Sequence, residues 1–122
     1  MSALEPKNYD KCCPVFSLEK IQSGKYCLSS LNQESKAEFA NAMYRRRTLT
    51  WSDLKRAQRH GLGTEKISIT NIKTQIPSFI TKDADDLLAL RYHGNRGMIG
   101  FRRRDIFYVL WFDKDFTLYN HG

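Results

Sequence analysis

Long apolar runs are missing from this chain. No stretch approaches the roughly 20 apolar residues that a bilayer-spanning helix needs, so no membrane partner is expected. Cysteine is scarce, at three residues, and Cys12, Cys13 and Cys27 show no paired metal-ligand spacing. Adjacent Cys12 and Cys13 cannot easily ligate one zinc ion together, so the expectation is reduced thiols and no metal site. Met1 to Lys11 holds neither a basic leader nor an apolar run, which predicts no secretory signal and a cytoplasmic protein. Also absent are a GxGxxG, a P-loop and an HExxH. The common nucleotide and metalloenzyme chemistries therefore have no motif to rest on, and no cofactor is expected.

Acids are the other shortage. The chain carries 20 Lys and Arg against 13 Asp and Glu, a formal net charge of +7 over 122 residues. From Met43 to His60 it holds Arg45, Arg46, Arg47, Lys55, Arg56 and Arg59 against one acid, Asp53; from Arg91 to Arg104 it holds Arg91, Arg96, Arg102, Arg103 and Arg104 against none. Arginine dominates both runs, and its planar fork suits phosphate oxygens and stacks on bases better than an ammonium does. A polyanion or an acidic protein segment is the partner class this pattern favours.

The apolar pattern predicts an α+β domain. Residues 1–14 read as a loose leader ahead of a single domain over 15–122, in which Val15 to Leu18 is a short strand candidate. Asn32 is a plausible N-cap for a helix from Gln33 to about Arg46, with Ala37, Phe39, Ala40, Met43 and Tyr44 at helical spacing as its packed face. Thr50 and Asp53 resemble a capping box ahead of a second helix with Trp51, Leu54 and Ala57 inward, stopped by Gly61 or Gly63. Lys66 to Thr70 alternates like a strand, while Pro77 leaves Ile76 to Ile80 only an edge strand or a loop. Asp83, Asp85 and Asp86 read as a solvated turn. Leu87 to Tyr92, Met98 to Arg102 and Ile106 to Phe112, joined by short turns, predict an antiparallel meander ending in a short strand from Phe116 to Tyr119. Ile106 to Phe112 is nearly all apolar, as in a central strand covered on both faces. With two N-terminal helices packed on one face of this small curved antiparallel sheet, the other face is expected to stay open for binding.

The segment from Arg91 to His121, RYHGNRGMIGFRRRDIFYVLWFDKDFTLYNH, resembles the C-terminal half of the RelE/ParE-like toxins of bacterial toxin–antitoxin modules. The shared pattern is an arginine-rich strand leading into an apolar strand that ends in tryptophan and an acid, then a final tyrosine or histidine. The likeness is specific over about the last thirty residues and only architectural over Asn32 to Gly61. It implies a RelE-like fold and a metal-independent, ribosome-dependent endoribonuclease that cuts mRNA by 2′-hydroxyl attack. On that resemblance Arg102 is a phosphate-binding arginine and His121 the general acid or base. Tyr119 stacks on or orients a base, and Arg96 clamps a further phosphate. A histidine suits proton transfer because its reference pKa of about 6.5 lies near working pH. Arg91, Lys55, Arg56, Arg59 and Arg45 are the expected RNA-binding residues. The implied partners are mRNA, the ribosome and an acidic, partly disordered antitoxin. A ParE-like toxin acting on a protein target, or a basic RNA-binding domain without cleavage, are the alternatives. Plainer roles await Tyr92, Phe101, Tyr108 and Trp111 as core, Arg103 and Arg104 as solvated turn residues, His93 as a strand end and His60 as a helix end.

Overall fold

Asn32 starts the first helix by accepting the Ser35 N–H on its side chain at 2.8 Å, and α1 runs Gln33–Arg46 as the spacing predicts. The computed structural model describes residues 8–59, 61–81 and 86–120. His60, Asp83, Asp85 and His121 lie outside the described residues. Helix α1 turns a different face inward from the expected one. Ser35, Ala42 and Arg46 are buried, with Phe39 and Met43 packed against the core, whereas Ala37 and Ala40 are exposed and Tyr44 is 62% exposed. Arg46 claims an inward place because its head is bonded to backbone carbonyls, its Nε donating to Leu62 and its Nη1 to Ala42.

The second helix, α2, Trp51–Arg56, begins with the expected capping box: Thr50 accepts the Asp53 N–H and Asp53 accepts the Thr50 N–H. It stops earlier than the glycines suggested. Ala57 is already extended, and the Gln58 carbonyl accepts from both Gly61 and Gly63 at 3.0 Å, folding the chain into a turn before those glycines are reached.

Five strands follow the order β1-β5-β4-β3-β2, with β1 Val15–Ser17, β2 Thr64–Ser68, β3 Asp86–His93, β4 Arg96–Arg103 and β5 Ile106–Phe112. The class is α+β, but the sheet is mixed. β1 pairs in parallel with β5, Val15 opposite Ile106, because the chain between them crosses through both helices and the rest of the sheet. The other pairings are antiparallel. Gly94, at φ +59°, makes the tight turn between β3 and β4. A bulge offsets β4 from β5, where Ile99 faces Trp111 but Gly100 faces Val109, and a Cβ at Gly100 would run into the Tyr108 carbonyl. The extra residue puts Leu110 and Trp111 into one cluster together.

Phe116–Tyr119 forms no strand. Phe116 takes a left-handed φ of +59°, and Asp113 Oδ1 accepts the N–H groups of Thr117 and Leu118, so a side chain replaces the ladder that a partner strand would provide. Ile76–Ile80 is likewise a loop, preceded by a 3₁₀ turn at Ile69–Asn71.

Two cores result. On the helix side Trp51, Leu54 and Ala42 pack on Leu90, Tyr92, Met98, Phe107, Val109 and Phe112. The opposite face, expected to be open, is covered: Ile67, Leu87, Ala89, Ile99, Leu110 and Trp111 lie beneath Leu118, Tyr119 and the loop residues Ile72, Ile76 and Ile80. The doubly apolar β5 is the reason, since it offers a hydrophobic surface on both sides. The expected leader also departs from its reading over residues 8–14. A 3₁₀ turn at Tyr9–Lys11 packs on α2, and the Trp51 N–H donates to the Cys12 carbonyl at 3.0 Å.

Candidate nucleic-acid interface

A cleft of about 340 Å³ lies between the C-terminal half of α1, the turn at Gly61–Leu62 and the end of β3. Arg45 and Arg46 reach it from the last turn of α1, where cations also complement the helix dipole. Tyr92 and His93 line it from β3 and Glu38 lies along its side, while Arg91 stands at its edge and also lines a smaller pocket with Arg59, Glu65, Asn95 and Tyr119. No carboxylate among the described residues pairs with Arg45, Arg46 or Arg91. Arg91 donates to the neutral Asn95 Oδ1 at 2.8 Å, which holds the fork without cancelling its charge.

Arg46 is 1% exposed, and burial pulls its pKa down to about 10, with the neighbouring Arg45 charge adding to the effect. Its Nη2 and the Tyr92 hydroxyl are buried polar groups without a hydrogen-bond partner among the described residues. Burial likewise pushes the Tyr92 phenol up to about 12, the acids Asp113 and Asp115 adding to the shift and Arg96 opposing it. An uncompensated buried cation is costly, and an anion in the cleft would offset part of that cost.

His93 stands at the rim. Its Nδ1 lies 2.9 Å from Ser35 Oγ, and its Nε2 lies 3.7 Å from Glu34 Oε1. Tyr44, beside Arg45 in sequence, presents its ring to solvent with the Arg47 guanidinium 3.8 Å from the ring centre.

The catalytic set expected from the C-terminal stretch is not gathered in one place. Arg102 lies on the helix side, 4.3 Å over the Trp51 ring, whereas Tyr119 is buried in the cluster on the other face. At 5% exposure the Tyr119 ring is core and has no face free to stack on a base. Its phenol is raised to about 12, chiefly by burial. Arg96 opens β4 while Arg102 is near its end, about 20 Å away at the rise of a strand. The Arg96 Nε is bonded to the Lys114 carbonyl at 2.9 Å. His121 lies outside the described residues.

Of the expected RNA-binding residues, Arg45 and Arg91 share the cleft. Lys55, Arg56 and Arg59 instead meet acids: Asp10 at 2.8 Å, Asp53 at 2.8 Å and Glu65 at 2.9 Å. Sequence reasoning missed Arg46, Tyr92 and His93 as members of the cleft, and the exposed Tyr44 on the same helix. Only the charge run and the adjacency of Arg91 to His93 signalled them. Among the described residues no group of three or more His, Cys, Asp or Glu is placed to hold a metal ion, and no helix is long and apolar enough to cross a membrane. In comparison with known proteins, the chain matches no family model, no curated protein and no solved structure.

Proposed function

We propose that this protein binds single-stranded RNA, seating backbone phosphates in the α1–β3 cleft and stacking a base on Tyr44. The observation that carries this reading is that Arg45 and Arg46 line one cleft with Arg91 at its β3 edge, none of the three ion-paired with an acid among the described residues. Guanidinium groups supply the sequence-independent attraction to phosphate, and an exposed tyrosine supplies the stacking platform that single-stranded binding uses.

Cleavage is the second reading, favoured by His93 in the same cleft. An imidazole beside arginines can move a proton while the guanidinium groups neutralise charge developing on phosphorus. The biological setting of a RelE-like toxin, with mRNA on the ribosome as target, an acidic antitoxin as partner and the cytoplasm as location, is supported by the resemblance of Arg91 to His121. A ParE-like protein target is the competing form of that setting.

The test is the anisotropy of a labelled oligouridylate RNA titrated with the protein across a range of KCl. Arg45→Ala and Arg91→Ala should each weaken binding about 3- to 10-fold at low salt and flatten the log K against log salt slope by about 0.7, one single-strand phosphate contact. The same RNA run on a gel reports cleavage, which His93→Ala should remove without changing affinity. Binding that ignores salt and both arginine substitutions would sink the proposal.

A further inference from the structure

A second basic cleft, of about 420 Å³, lies between α2 and β4 and is lined by Trp51, Lys55, Thr64, Lys66, Leu88 and Arg102. Two of its cations, Arg102 and Lys55, are already bridged by an anion that the chain itself supplies. Asp10 Oδ1 lies 2.7 Å from Arg102 Nη2, and Asp10 Oδ2 lies 2.8 Å from Lys55 Nζ. One carboxylate thus spans two cations through its two oxygens, as the two free oxygens of a phosphodiester would. The Arg102 fork is aligned for this by the Trp51 ring beneath it and by its Nε bond to the Arg104 carbonyl at 2.7 Å. Lys66, on the same cleft, has no acidic partner among the described residues.

The contact is built to yield. The Asp10 side chain is 33% exposed and that of Lys55 is 55% exposed, so solvent screens that pair, while Arg102, at 19%, is the more enclosed partner. The turn that carries Asp10 is short: Asn8 caps it at the Asp10 N–H, and the Cys12 N–H closes it on the Tyr9 carbonyl at 3.0 Å. Beyond it the Trp51–Cys12 backbone bond ties the segment to α2, so Asp10 can swing out without freeing the chain.

We propose that the α2–β4 cleft is a second phosphate site on the RNA path, and that Asp10 is its built-in competitor. RNA engages Arg102 and Lys55 only when the Tyr9–Lys11 turn gives way. This rests on the RNA-binding reading above and adds a regulatory contact to it.

The experiment compares oligouridylate binding across KCl for the parent, Asp10→Asn and Asp10→Asn with Arg102→Gln. Asp10→Asn should bind about 3- to 10-fold more tightly at low salt, with a slope steeper by about 0.7 to 1.4, one or two phosphate contacts. The added Arg102→Gln should remove that gain. Because Asp10→Asn can loosen the turn by itself, hydrogen exchange on the unaltered chain is the second measurement. Saturating RNA should speed exchange at the Cys12 amide and leave the Trp51 amide protected. Unchanged affinity and slope in Asp10→Asn, with Cys12 exchange indifferent to RNA, would overturn the proposal. If Arg45→Ala still weakens binding in that case, the RNA reading stands alone. Absence of RNA binding by every variant would remove both.

Discussion

Asp113 is fully buried at the end of β5, and one of its oxygens accepts the N–H groups of Thr117 and Leu118. A buried carboxylate is tolerated when it satisfies donors that nothing else reaches, and here it fixes the tail that seals one face of the sheet. Replacing it leaves those donors unpaired at about 1–3 kcal/mol each, with partial recovery by solvent. Asp113→Ala should lose about 2–4 kcal/mol in urea unfolding, and Asp113→Asn, which keeps an acceptor oxygen, should lose about half as much. Equal losses would mean that the charge, and not the acceptor, is what the site requires. Arg46 follows a different logic: its stem fills core space and two of its nitrogens are bonded to backbone, while its charge faces a cleft without a described counter-ion.

Helix α2 has only six residues, too few to persist alone, and its capping box is a large part of its local stability. The Asp53 carboxyl is held below its ordinary value, first by the Thr50 N–H and Thr50 hydroxyl and then by Arg56. A carboxylate with a lowered folded-state pKa stabilises the fold above its unfolded value of about 3.9, and that contribution is lost as the pH falls through the lower folded value. Thr50→Ala should cost about 1 kcal/mol at pH 7. Asp53→Asn should melt below the parent at pH 7, with the gap closing as the pH drops below about 4. A gap that stays constant down to pH 2 would show that the carboxylate charge plays no part. Asp10, lowered by Lys55 and then Arg102, should release its two cations over the same acidic window.

At the scale of the whole molecule, the sheet divides two cores. Met98 and Ile99 are adjacent on β4, fully buried, and point into different ones. Since both faces are covered, Met98→Ala and Ile99→Ala should each cost about 2–5 kcal/mol in the same unfolding assay. A cost below about 1 kcal/mol for Ile99→Ala would return its face to the role of an open surface. Closing that face moves the accessible chemistry to the flanks of the helices. The cations there divide into those that meet acids on α2 and its neighbours and those on α1 and β3 that do not.

Local signals determined much of this protein from sequence alone. Asn32, and Thr50 with Asp53, mark helix starts because a cap is a contact within three residues. Gly94 marks its turn through its own φ, and Ile106 to Phe112 marks a strand covered on both sides. The arginine runs were legible as two basic stretches, and the structure brings one residue of each, Arg45 and Arg91, to the lining of one cleft. What only the tertiary structure decided depends on residues far apart in the chain. The parallel pairing of β1 with β5, the cover over the second face and the inward turn of Arg46 are contacts that no local window contains. The separation of Arg102 from Tyr119 is decided the same way: period and spacing place a side chain on its own strand, while the layer packed above that strand decides which side of the sheet can meet a ligand.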